Sequence, residues 1–503
     1  MKVLYIAAEC KPFAKAGGVG DVTGELPPAL KKLGVDIEIV TPWYGQTSCA
    51  DARPGGDGWT VRFGGVAERV DLVETELGGV QVTLLKNATY FETDYSDGDR
   101  KPPFTSAHLF KKNYSKIYVD SDPLLPFIDD AARFSFFSEA CLGLIERKRP
   151  DIVHVNDWVL GYLLGRLAMA GMPQKQILTI HNIGYQGNVG RDLIEGWPIE
   201  AVARHPKLGS LFADPRAEWD SVNALRLGME VADVVNTVSP AYKKEMTQPE
   251  DQTRYFEGGK GLDEVAARLD GQGKLHGILN GFEYRFTPDD ETFARVLEDK
   301  ARMKAELSRR FPNPGGLLFG FVGRAVEQKF KLLTERVNGK RVLEHILDIP
   351  GVNVAVVASG LPEYESFLRE LADRPNFDAT IAFHRTKAQE ISLGSDVFLM
   401  PSLFEPCGIT QMESLSCATP PLVRWTGGLV DTVKPHTEPG GTGFGFDGGT
   451  RAEVLRNLIA VAKEAVDLYS QQPARFRQMQ RRGFAERFLW SNAAKAYVDC
   501  VYT

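Results

Sequence analysis

Cysteine is scarce and follows no pattern: Cys10, Cys49, Cys141, Cys407, Cys417 and Cys500 are the six in 503 residues, with no C-x-x-C pair among them. That scatter argues against a disulfide framework or a zinc site and fits reduced thiols in a cytoplasmic protein. Long apolar runs are also missing. None approaches the roughly 20 residues needed to span a bilayer, so no membrane partner is expected. The N-terminal stretch 1–8 is apolar but short, and Glu9 and Lys11 follow where a signal peptide would carry its small-residue cleavage site. It reads as a first buried strand. Basic runs are absent too. Lys and Arg total 59 against 66 Asp and Glu, a net charge of −7. A general nucleic-acid binder is thereby disfavoured, and any phosphate must be held locally by a few placed cations and helix N-termini.

The length implies two or three domains. Apolar runs of four to seven residues (2–8, 35–41, 152–155, 176–181 and 234–238) alternate with helix-length segments such as 20–33. This is the signature of a parallel sheet covered on both faces. Residues 50–82 are glycine-rich and alternate polar with apolar, which predicts an antiparallel insert. After a Pro- and Asp-containing stretch the pattern restarts, with strands at 317–322, 353–358, 379–383 and 397–401 and a helix at 340–347. The fold class is therefore α/β, two Rossmann-like doubly wound domains with a hinge near 281–292. Ligands in such sheets bind beyond the strand C-termini, so the active site belongs in the interdomain cleft.

Several strand ends carry chemistry. Lys15-Ala16-Gly17-Gly18-Val19-Gly20-Asp21 lies between the first strand and its helix. Its glycines allow close backbone approach, its freed amides suit an anion or hydroxyls, and Lys15 adds a charge. Asp157 and Trp158 follow the 152–155 strand, a carboxylate for sugar hydroxyls beside an indole for the C–H face of the ring. His181-Asn182 ends the next strand. In the second half Arg324 and Lys329 follow a strand, where two cations could hold a diphosphate leaving group. The segment 401–413 contains Glu405, then Gly408, Ile409 and Thr410 at a predicted helix start near 408 or 409, then Glu413, suited to a ribose. Thr426-Gly427-Gly428 offers a second phosphate turn.

Together these stretches resemble the bacterial glycogen synthase and plant starch synthase family, retaining glycosyltransferases of GT-B architecture. The resemblance rests on K-A-G-G-V-G-D-V, H-V-N-D-W, L-T-I-H-N-I-G-Y-Q-G, V-S-P, L-N-G, F-E-P-C-G-I-T-Q and T-G-G-L-V-D-T-V, in that order. It implies an N-terminal acceptor-side domain at 1–285, a donor-side domain at 286–483 and a C-terminal helix, 484–503, crossing back. It also implies transfer of glucose, with retention, from ADP-glucose or UDP-glucose to the non-reducing 4-hydroxyl of an α-1,4-glucan, without metal or cofactor.

On that resemblance, Lys15 and Asp21 contact donor or acceptor, and Asp157, His181, Asn182 and Asn280 hold the glucosyl group. Arg324 and Lys329 stabilise the diphosphate, Glu405 holds the transferred glucose, and the 408–410 backbone binds phosphate. The D-x-D triplets at 97–99 and 120–122 are discounted as metal sites. Ala16 stands for the usual Thr, Phe330 for a usual Gly, and a single glycine, Gly360, for a glycine-rich turn; the 97–122 insert is also unusual. Alternative readings are a glucosyltransferase acting on a small or oligosaccharide acceptor, a non-catalytic glucan-binding relative and, more distantly, a dehydrogenase. Assembly state is not legible.

Overall fold

The computed structural model describes residues 1–96, 112–119, 128–216 and 220–503. The apolar runs of the first half form the strands Lys2–Ile6, Asp36–Pro42, Ile152–Asn156, Lys175–Ile180 and Val234–Thr237. Ile152–Asn156 is buried at every position, as a strand must be when helices cover both faces of its sheet. The parallel strands lie in the order Val80–Lys86, Asp36–Pro42, Lys2–Ile6, Ile152–Asn156, Lys175–Ile180, Val234–Thr237, Leu275–Gly277. The winding thus reverses between Lys2–Ile6 and Ile152–Asn156. The 50–82 stretch is antiparallel as expected, with Trp59–Phe63 and Val66–Leu77 adding to the Val80–Lys86 edge. Alternating burial along Trp59–Phe63 shows one face on the core and one towards water.

The second sheet has six strands, all parallel, in the order Phe377–Thr380, Val352–Gly360, Leu317–Ala325, Val397–Met400, Pro421–Arg424, Phe444–Phe446. Its reversal falls between Leu317–Ala325 and Val397–Met400. Three boundaries differ from expectation. The helix expected from 340 starts at Val342, because Lys340 and Arg341 pair with Arg336 and Val337 in a hairpin. The strand expected at 379–383 is Phe377–Thr380, since the next helix begins at Arg385 with the His384 ring accepting from the Lys387 amide. The helix after Glu405 starts at Thr410.

The lobes are joined by two passes of chain, with the Phe282 amide donating to the Phe488 carbonyl at 2.7 Å. The C-terminal helix, Trp490–Tyr497, lies against the first sheet. Ala493, Ala494, Tyr497 and Tyr502 share a buried cluster with Val3, Tyr5 and Ile37. Two polar contacts lock this docking: His154 Nδ1 to the Tyr502 hydroxyl at 2.8 Å, and Asn236 Nδ2 donating to the Tyr497 hydroxyl at 2.8 Å. No helix among the described residues is long and apolar enough to cross a membrane. Both D-x-D triplets lie outside the described residues.

Candidate active site

The two reversal points carry the predicted residues, one set on each lobe, where doubly wound sheets hold ligands. In the first lobe the glycine loop is organised by a residue that spacing did not mark. Glu9 is 2% exposed. Its Oε2 accepts from the amides of Ala16 and Gly17, both at 2.7 Å, and its Oε1 accepts from the Tyr118 hydroxyl at 2.9 Å. The Gly17 amide, expected to meet a ligand, is therefore committed to Glu9. A single acidic residue closing an apolar run gives no sequence signal for this job. Gly24 is a packing glycine, since a Cβ there would sit 2.8 Å from the Lys11 carbonyl oxygen. At the mouth, Lys15 Nζ meets Asp21 Oδ1 at 2.7 Å. Across the lobe boundary, a Cβ on Gly18 would lie 4.0 Å from the Ile409 side chain.

Asp157 adopts φ 59° and ψ −178°, which costs a non-glycine residue about 1–3 kcal/mol and recurs at functional sites. Its Oδ1 accepts from the His181 amide at 2.7 Å, tying two strand ends together. Burial pushes its carboxyl up to about 7, against the pull of the His181 and Asn182 amides. His181 has a defined tautomer. Asn156 Nδ2 donates to the Ile6 carbonyl at 3.0 Å, so Asn156 Oδ1 is the acceptor for the Tyr5 hydroxyl at 3.0 Å and for His181 Nε2 at 2.9 Å. The proton sits on Nε2 and leaves Nδ1 as an acceptor. Burial lowers the His181 pKa to about 3 and keeps the ring neutral. Asn182 Oδ1 accepts from the Gly184 amide at 2.9 Å.

Trp158 requires a correction. It is 6% exposed within the first-lobe core and packs edge-on against Phe134 at 6.0 Å. Gly187 lies against its ring, at φ 65° and with room for no side chain: a Cβ would fall 2.2 Å from Trp158 Cε3. The indole is a structural floor and offers no face to a sugar.

In the second lobe Arg324, next to last in its strand, is exposed, and its guanidinium makes no hydrogen bond or ion pair with a described residue. Lys329, on the helix Glu327–Thr334, pairs with the Glu405 carboxylate, to which the Ser402 hydroxyl also donates at 3.2 Å. Gly408 has φ 73°, the left-handed region open to glycine. Gln411 Nε2 holds that turn by donating to the carbonyls of Cys407 and Gly408 at 3.1 and 3.0 Å. The amides of Gly408, Ile409 and Thr410 make no hydrogen bond with described residues, so this helix start keeps its anion-binding donors. Glu413 is half-buried; burial raises its carboxyl, while Arg285 and Lys15 act against the rise.

The Thr426-Gly427-Gly428 turn is a second correction. Glu245 of the first lobe accepts from the Gly427 amide at 2.7 Å and from the Thr426 hydroxyl at 3.2 Å, while the Gly428 amide donates to the Glu405 carbonyl at 2.9 Å. A carboxylate already fills the turn expected to bind phosphate, so its role is to join the lobes. Asn280 faces the Cys407 sulfur, towards which its backbone and side chain both donate. It thereby lies behind the Glu405 loop. One residue outside every motif stands out: Phe383, just past the C-terminal end of Phe377–Thr380, is 93% exposed. A large aromatic this bare at the ligand end of a sheet suits stacking.

Residues 2–268 match the starch synthase catalytic domain and 311–479 match glycosyl transferases group 1. A glycogen synthase of Geotalea daltonii is 32% identical, covering 99% of this chain and 98% of the relative. A glycogen synthase of Lactococcus lactis is likewise 32% identical, covering 99% of both. The chain belongs to the glycogen and starch synthase family. It is a retaining glycosyltransferase of GT-B fold. The catalytic domain of starch synthase IV from Arabidopsis thaliana, bound to ADP and acarbose, superposes with a TM-score of 0.77 at 24% identity, covering 99% of this chain and 98% of the other. Departures from the family pattern now have locations. Phe330 is fully buried, edge-on to Phe321 at 5.2 Å, and fills the second-lobe core without entering the cleft. Gly360 remains glycine for packing, because a Cβ would lie 2.4 Å from the Ala325 carbonyl oxygen.

Proposed function

We propose that this glycogen/starch synthase family member moves glucose from ADP-glucose to the non-reducing 4-hydroxyl of an α-1,4-glucan, with the polymer as its working acceptor. The observation that carries the reading is the charge arrangement at the second reversal point: the Lys329–Glu405 pair, with Arg324 and three amides at 408–410 that have no partner among the described residues. In the reaction, Arg324, Lys329 and those amides stabilise the departing diphosphate. Glu405 holds glucose hydroxyls and keeps Lys329 in place. The neutral His181 ring accepts from a sugar hydroxyl at Nδ1, and Phe383 stacks on the nucleotide base. The glucosyl bond to the diphosphate breaks as the acceptor oxygen attacks from the same face, and the leaving phosphate takes the acceptor proton. Rate enhancement then comes from positioning and from charge stabilisation at the leaving group.

Two cations and a helix start supply the charge that a metal would otherwise bring, so turnover is expected without metal or cofactor. Unpaired cysteines suit a cytoplasmic setting. The test is a donor screen with ADP-glucose and UDP-glucose, with and without glycogen, following diphosphate release in buffer containing EDTA. Labelled glucose entering ethanol-insoluble glucan supports the reading. Product confined to a soluble glucoside assigns a small acceptor, and glycogen binding without diphosphate release from either donor refutes catalysis.

A further inference from the structure

A cavity of about 580 Å³ lies behind the hinge, within the 300–1,000 Å³ range typical of small-molecule sites. Asn280 lines it, while none of Lys15, Asp157, His181, Arg324, Lys329 or Glu405 does. Its walls are the helix Pro240–Met246, the strand end at 276–280, the returning segment at 487–489 and the C-terminal helix. Its charged lining is Lys243, Lys244 and Arg487 against one acid, Asp270, with the His276 ring beside them. Asp270 is committed to Lys243. The Lys244 ammonium makes no hydrogen bond or ion pair with a described residue. Arg487 donates to the carbonyls of Phe484, Glu486 and Phe286 and lies 4.4 Å over the Tyr284 ring, without a carboxylate partner among the described residues. His276 reports the resulting field: burial, then the Lys243 and Lys175 ammoniums, hold it below its ordinary value, with Asp270 opposing. Ile278, Leu279, Leu489, Ala493 and Ala496 supply an apolar wall.

We propose that this cavity is a regulatory site for a small, multiply charged organic anion, with its charge on Lys244, a hydrogen bond from the neutral His276 ring and its carbon body on the apolar wall. The coupling to catalysis is one helix thick. Pro240–Met246 presents Lys243 and Lys244 to the cavity. The same segment holds the second lobe: the Ser239 hydroxyl donates to the Pro406 carbonyl at 2.6 Å, and the Ala241 amide to Asp431 Oδ2 at 2.8 Å. Pro406 adjoins Glu405, so an anion that fixes this helix also fixes the loop carrying the glucose-binding carboxylate. Binding does not depend on the proposed transfer reaction; the effect on turnover does.

Titration calorimetry on the full chain, with ADP saturating the nucleotide site, tests binding with ribose 5-phosphate, citrate and inorganic phosphate as probes. At least one organic anion should bind more tightly than inorganic phosphate and change kcat. Lys244→Gln should weaken that binding tenfold or more and abolish the change in kcat, leaving anion-free turnover as in the parent. His276→Gln should weaken it several-fold. Binding of inorganic phosphate at least as tight as that of both organic anions, heats unaltered by both substitutions, or no heat with any probe would overturn the proposal. Binding that survives in a preparation without transferase activity would separate this site from the reading of function.

Discussion

Removing the Lys329 ammonium separates catalysis from folding in a measurable way. Breaking a buried ion pair from one side costs about 3–5 kcal/mol, because the other charge is left unpaired. The Lys329 side chain is 22% exposed and that of Glu405 9%, so solvent screening brings the expectation for Lys329→Ala to about 2–3 kcal/mol. That corresponds to a fall in Tm of roughly 2–4 °C per kcal/mol for a lobe of this size. Loss of a cation that meets the departing diphosphate costs a further 3–4 kcal/mol in the transition state, about 10²–10³-fold in kcat/KM. The double variant Lys329→Ala/Glu405→Gln removes the orphaned charge, so stability should largely return while activity stays low. Thermal denaturation and diphosphate release on the parent and the three variants complete the cycle. Stability and activity recovering together in the double variant would show that the pair is only a structural tie.

Trp158→Ala should destabilise by about 3–5 kcal/mol, as for a large core side chain, with KM for donor and acceptor unchanged in the folded fraction; a selective rise in KM would return the indole to the sugar site. Phe383→Ala should leave Tm unchanged, since the ring is 93% exposed, and raise the donor KM between about fivefold and a hundredfold, the range of one base–aromatic stack; an unchanged KM refutes the stacking role. The pH dependence of stability has two opposed parts. The Asp157 carboxyl, raised by burial to about 7, contributes stability that is full below its unfolded value near 3.8 and is lost as pH rises through 7. His181 and His154, both lowered to about 3 by burial, contribute stability present above about 6.5 and lost as pH falls towards 3. Asp157→Asn keeps the oxygen that accepts from the His181 amide and should remove the first part alone. A difference in Tm between variant and parent that stays flat from pH 4 to 8 would contradict the assignment.

Much of this was legible because it is local. Continuous apolar runs such as Ile152–Asn156 mark buried parallel strands wherever they occur, and polar residues just past them mark ligand positions. Hence Lys15, Asp157, His181, Arg324, Lys329 and Glu405 could be placed near strand ends, one strand at a time. What escaped were residues defined by partners far along the chain. Glu9 acts through amides seven and eight residues on and a hydroxyl 109 residues away. Glu245 reaches Gly427 across 182 residues. No period or spacing encodes such a meeting.

The sequence by itself determined the two sheets, the positions of the glycines that turn strand into helix, and the cations and carboxylates offered at the strand ends. Those follow from burial, backbone freedom and charge, which each residue carries with it. Tertiary structure alone decided which donors stay unoccupied. Thr426-Gly427 and Gly408–Thr410 look equally fit for phosphate as sequence. Among the described residues the first alone is filled by a carboxylate from the facing lobe, because lobe contact brings Glu245 to it. Likewise an indole beside a carboxylate reads as a sugar platform until Gly187 is found packed on its face. Occupancy is a property of the assembled surface, and it separates the turns that can bind a substrate from those already holding the protein together.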